Sequence, residues 1–116
     1  MSISFEGIGR EIVTVKFVEG LKEGNLCRFS SDKTVVPASA NSKFSGKVLK
    51  IYDDGTASVQ IKGYIEVPYT DSTALSTLDT QNYVCTDATS IHRSDDGRGY
   101  LVVSQNTAKK TVGIIL

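Results

Sequence analysis

The sequence predicts an all-β protein, a small barrel or sandwich of about eight to nine short strands with at most one helical turn. Three observations carry this expectation. Runs of alternating or β-branched residues recur along the chain, turn residues separate them every eight to twelve positions, and only one stretch gives even a weak helix signal.

The elements follow in order. Residues 12–18 alternate, with Val13, Val15 and Phe17 on one face and Thr14 and Lys16 on the other, as a half-buried strand requires. Gly20 to Gly24 reads as a turn, residues 25–29 as a short strand, and Ser30, Ser31 and Asp32 as a second turn. Residues 33–36 form the next strand, which Pro37 terminates, and the Ala, Ser and Asn of residues 37–45 read as a loop. The clearest hairpin joins residues 46–52 to 56–61 through Asp53-Asp54-Gly55, where Gly accepts the positive φ of a tight turn. Residues 63–69 continue as a strand or crossing segment, with Pro68 marking an edge or an end. Residues 71–81 carry the weak helix signal: Asp71 or Ser72 as a cap, and Leu75 three residues before Leu78. Strands resume at residues 83–85, 89–92, 100–104 and 110–116.

Two stretches superimpose at an offset of 53: residues 46–51 on 99–104, and 58–61 on 111–114, with the turn 52–55 falling on 105–108. Upstream of each lies a short strand carrying a cysteine, Cys27 or Cys85. The chain is thus readable as two similar halves of strand, turn, strand, loop and long hairpin, closing on a shared core. Two unrelated glycine-led hairpins would give the same match, and both readings stand at this stage.

At 116 residues the length fits one β-domain over residues 11–116, preceded by residues 1–10 as an arm or frayed end. Lys and Arg total 13, equal to Asp and Glu, and the absent basic excess argues against nucleic acid as a partner. No apolar run approaches the roughly 20 residues of a membrane span. The longest, residues 112–116, predicts a final strand buried in the barrel or against a neighbouring subunit. Residues 1–7 have neither the basic nor the apolar region of a secretory signal, so synthesis and folding in a cytoplasm are expected. Cys27 and Cys85 lack metal-ligand spacing and are expected as free buried thiols.

Candidate chemistry is sparse. His92 is the only histidine. Ser90 and Ser94 share its strand face, with Asp95 nearby, which makes a polar row rather than a catalytic triad. Asp53-Asp54-Gly55 and Asp95-Asp96-Gly97 lack the alternating oxygen ligands of a calcium loop and read as turns. Residues 94–99 lack the strand-to-helix context of a phosphate loop. Tyr52, Tyr64, Tyr69, Tyr83 and Tyr100 are open to two readings, core or rim packing and a stacking platform for a ligand. No catalytic, cofactor-binding or metal residue is nominated, and the expectation is a non-enzymatic protein without cofactor.

Several segments carry a family likeness. They are Leu21-Lys22-Glu23-Gly24-Asn25-Leu26, Phe44-Ser45-Gly46-Lys47-Val48, the stretch from Ala57 through Gly63-Tyr64-Ile65-Glu66-Val67-Pro68-Tyr69, Tyr100-Leu101-Val102-Val103-Ser104, and Thr111-Val112-Gly113-Ile114-Ile115-Leu116. With them the chain resembles the capsid decoration proteins of tailed phages and prophages, small head fibre-like virion proteins encoded beside the major capsid protein. Residues 71–96 are the least alike. The resemblance implies a structural β-protein that binds and decorates or stabilises the capsid, with the major capsid protein or another virion protein as partner. It also implies a homo-oligomer, a trimer by that family's habit. Such a protein would reside in the bacterial cytoplasm during synthesis and then on the capsid surface. The alternative is a small β-module that binds carbohydrate or peptide through exposed tyrosines.

Overall fold

Ten strands and no helix make up residues 9–116, the part of the chain that the computed structural model describes. The first five are β1 (Glu11–Phe17), β2 (Leu26–Ser31), β3 (Thr34–Pro37), β4 (Gly46–Ile51) and β5 (Thr56–Lys62), closed into a barrel in the order β1-β3-β2-β4-β5. The second five are β6 (Tyr64–Pro68), β7 (Asp79–Cys85), β8 (Ile91–Arg93), β9 (Arg98–Asn106) and β10 (Thr111–Ile115), ordered β6-β10-β9-β7-β8. The all-β expectation holds, with one strand more than the expected range.

The second sheet repeats the pairing of the first. Antiparallel β1–β5, β4–β5, β2–β4 and β2–β3 recur as β6–β10, β9–β10, β7–β9 and β7–β8. The parallel β1–β3 seam, Lys16 with Thr34 and Phe17 with Val35, recurs as the single bridge Tyr69 with Ile91. Both long hairpins carry a bulge in their leading strand, at Leu49 and at Val103. The two halves therefore share one topology, and the offset of 53 matched the right strands. It misplaced one turn, because β9 runs on to Asn106 and the chain reverses at residues 107–110 instead of 105–108.

Residues 71–81 contain no helical turn. Asp79 to Tyr83 pair with Arg98 to Val102, so a ladder with β9 overrides the local capping signal and starts β7 four residues earlier than expected. Pro68 ends β6, and the C-terminal run is β10, held between β6 and β9. The expected arm at residues 1–10 falls mostly on residues 1–8, which lie outside the described residues.

Inward alternation builds the first core. Val13 sits opposite Val59 and Val15 opposite Ala57, and these pack with Val35, Val48 and Cys27. The second core holds Ile65, Val67, Tyr83, Tyr100, Val102, Val112 and Ile114, but it also takes Leu26, Ala38 and Phe44 from the first half. Residues 38–45 make this possible by reaching across. Asn41 N–H donates to the Cys85 carbonyl at 2.7 Å, and Cys85 N–H donates to the Ser42 carbonyl at 2.9 Å. The Phe44 ring then stacks on Tyr100 at 4.8 Å and 13°, and the Tyr100 hydroxyl donates to the Phe44 carbonyl at 3.0 Å.

Phe44→Ala is expected to destabilise the protein by about 3–5 kcal/mol, the usual cost of deleting a buried ring. Tyr100→Phe leaves the Phe44 carbonyl without its donor and is expected to cost about 1–3 kcal/mol. Urea denaturation of the two variants measures both.

Candidate binding surface

The residues nominated from sequence are used locally. His92 stands opposite Val84 on β8, its Nδ1 2.8 Å from Thr86 Oγ1, which lies 2.7 Å from Thr70 Oγ1. Ser90 does not join it: the buried Ser90 hydroxyl donates to Asp87 Oδ1 at 3.0 Å. That one oxygen also accepts from Thr89 N–H, Thr89 Oγ1 and Ser90 N–H, at 2.7, 2.8 and 3.0 Å. The Thr89 bonds, followed by those from Ser90, hold the Asp87 carboxyl below its usual range. The group shapes the β7–β8 turn. Ser94 Oγ accepts from Asp96 N–H at 3.3 Å, and the expected polar row contains no assembled triad.

Both Asp-Asp-Gly segments are turns, for different reasons. Asp54 accepts from the Thr56 hydroxyl at 2.6 Å and its amide at 3.1 Å, which lowers its pKa, and Gly55 takes φ 86°. At Gly97 the constraint is space: a Cβ there would run into the Tyr83 backbone. Among the described residues no group of three or more His, Cys, Asp or Glu could hold a metal ion.

The tyrosines divide. Tyr69, Tyr83 and Tyr100 are buried in the second core. Tyr52 is outside, with Lys50 Nζ 5.6 Å from its ring centre and Ser58 Oγ 3.0 Å from its hydroxyl. Tyr64 lies across Gly113, where a Cβ would collide with its hydroxyl and ring. Cys27 and Cys85 are free and buried. Burial, then the neighbouring Cys85, pushes the Cys27 thiol up to about 12. Burial, then Asp87, pushes the Cys85 thiol up to about 11. Burial also raises Tyr83 and Tyr100 to about 12.

Two surface features remain. The first is an open groove of about 440 Å³ between the outer face of the first barrel and the start of β6, lined by Arg10, Lys47, Leu49, Gln60, Tyr64 and Glu66 among others. Register places Glu66, Gly113 and Ser104 in one row, and the Tyr64 hydroxyl bridges the row, 3.0 Å from Glu66 Oε1 and 3.1 Å from Ser104 Oγ. The Glu66 carbonyl accepts from Lys47 Nζ at 3.1 Å, and the Tyr64 carbonyl accepts from Gln60 Nε2 at 3.1 Å. Sequence reading missed this groove, near which Pro68 was read as marking an edge or an end.

The second feature is the apolar surface around the end of β1 and the start of β3. Phe17, Val35 and Phe29 form one row across three strands. Phe29, at the end of that row, is 42% exposed, and Val18, one residue beyond Phe17, is 41% exposed. The chain at this end is held by Val18 N–H donating to the Val35 carbonyl and Phe17 N–H to the Gly55 carbonyl. Comparison of the chain with protein-family models, with curated proteins and with solved structures finds no match.

Because burial favours the neutral Tyr83, Tyr100, Cys27 and Cys85, their contribution to stability is complete below about pH 9 and is lost as pH rises towards 12. An absorbance titration should show the Tyr83 and Tyr100 phenolates appearing only as the near-UV circular dichroism signal collapses. At pH 8 a thiol-reactive disulfide reagent should leave Cys27 and Cys85 unmodified until urea unfolds the chain.

Proposed function

We propose that this protein is a non-enzymatic virion component of a phage or prophage that binds the capsid and decorates or stabilises it. The observation that carries the reading is the apolar row Phe17, Val35 and Phe29, which ends in an exposed Phe29, with the exposed Val18 one residue beyond Phe17. An exposed aromatic ring continuous with a buried apolar row suits a protein contact. The equal numbers of acidic and basic residues suit a protein surface better than a phosphate backbone. The core shared by the two halves supplies a stiff body, as a reinforcing clamp needs. The family resemblance adds the partner, the major capsid protein or a neighbouring virion protein, and an oligomer, with three copies as its family's number. The tyrosine-based carbohydrate or peptide module has less support, since Tyr69, Tyr83 and Tyr100 are buried.

The test is co-sedimentation with empty shells assembled from the major capsid protein of the same phage or prophage. The protein is expected to pellet with the shells. The double variant Val18→Asp, Phe29→Asp should bind at least tenfold more weakly while retaining its thermal transition. Absence of binding by the unmodified protein removes the function, and equal binding by the folded variant removes Val18 and Phe29 as its contact.

A further inference from the structure

Val59 helps fill the first barrel, so the next residue of β5, Gln60, points out of it. On that outer face it lies in register with Lys47 of β4. An outward polar side chain ordinarily meets water, yet Gln60 is only 4% exposed, because the turn from β5 into β6 folds over it. Its Nε2 donates to the Lys62 carbonyl at 3.0 Å and to the Tyr64 carbonyl at 3.1 Å. Both amide protons are engaged, and two carbonyls on the nitrogen side fix the orientation of the amide. Oε1 is left on the other side, in the wall of the groove, with no donor on it. Among the described residues every buried side-chain nitrogen or oxygen has a partner, so this oxygen is open to the groove.

Two cations flank that acceptor. Lys47 Nζ donates to the uncharged Glu66 carbonyl, and Arg10 lines the same groove. Neither is ion-paired: among the described residues the one salt bridge joins Arg93 to Asp71. The carboxylate in the lining is Glu66, whose Oε1 already accepts from the Tyr64 hydroxyl at 3.0 Å. Two positive charges against one negative favour a single anionic group in the groove. Leu49 and Ile65 are the apolar part of the wall. At about 440 Å³ the space lies within the roughly 300–1,000 Å³ of small-molecule sites.

A ligand that matches this wall has a carboxylate for Arg10 and Lys47, a hydroxyl to donate to Gln60 Oε1, and an apolar face for Leu49 and Ile65. A sugar ring that carries a carboxylate has all three, since its hydroxyls lie around the rim and its C–H groups on the faces. We propose that the groove binds an acidic sugar, a hexuronate residue. Arg10 and Lys47 hold its carboxylate, and Gln60 Oε1 accepts from a ring hydroxyl. Neither Val18 nor Phe29 lines the groove, and the inference does not depend on the proposed function.

Titration of the full chain with sodium glucuronate, followed by heteronuclear NMR, tests it, with glucose and sodium acetate as controls. Glucuronate is expected to shift the Gln60 side-chain amide resonance saturably, and to bind at least tenfold more tightly than glucose or acetate. The double variant Arg10→Ala, Lys47→Gln should bind glucuronate at least tenfold more weakly while retaining its thermal transition. Arg10→Ala alone removes a side chain that makes no ion pair, so the test survives if the double variant fails to fold; it should weaken glucuronate at least threefold. The absence of a saturable shift at Gln60 overturns the proposal. Equal binding of acetate overturns it by reducing the groove to a site for any carboxylate. Equal binding of glucose, or unchanged glucuronate affinity in Arg10→Ala, overturns it by removing the cations from recognition.

Discussion

The crossing of residues 38–45 onto the second half is the constraint on which the rest depends. The first barrel closes on itself and fills its interior with its own valines. The second sheet does not close to the same degree: its opposite edges meet at one bridge, and its core is completed by Leu26, Ala38 and Phe44 from outside. Phe44 brings apolar area to Tyr100, and its carbonyl satisfies a hydroxyl that would otherwise be buried without a partner. The reciprocal bonds of Cys85 with Asn41 and Ser42 fix the loop's register at the same place. Without that loop the second half would carry a hole in its core and an unmatched strand end.

The repetition is therefore topological rather than energetic. The same order of strands appears twice, but a parallel seam of two residue pairs in the first half shrinks to one bridge in the second. What the second half lacks in closure it recovers from its neighbour, at the core through Phe44 and at the β6 edge through Lys47 and Gln60. Tyr64 over Gly113 shows the same economy: the missing side chain on β10 is replaced by a ring from two strand positions away on β6.

How much of this was legible depended on how local each cause is. Val13, Val15 and Phe17 declare their inward face by alternation alone, and Asp53-Asp54-Gly55 declares its turn because Gly55 needs positive φ. Pro68 marked an edge strand for the same reason, since proline has no donor to offer. The start of β7 at Asp79 and the extension of β9 to Asn106 were hidden, because both are decided by a pairing partner elsewhere in the chain. Gly97 looked like a second Asp-Gly turn, but its requirement comes from the Tyr83 backbone, 14 positions earlier. The groove was least legible of all, since its walls come from Arg10, β4, β5 and β6 and exist only once the halves are joined.

The disposition of the polar groups then bears on what kind of work suits such a molecule. Among the described residues, every buried side-chain nitrogen or oxygen has a hydrogen-bond partner. Asp87 and Asp54 are engaged by the hydroxyls and amides of their own turns, and Arg93 reaches Asp71 at 3.6 Å and Thr73 across the chain. Under the proposed capsid-binding role, such bonds suit a stiff body that presents Val18 and Phe29 at fixed positions. Under that proposal, little would have to be ordered on binding, so recognition by shape and apolar contact keeps most of its free energy.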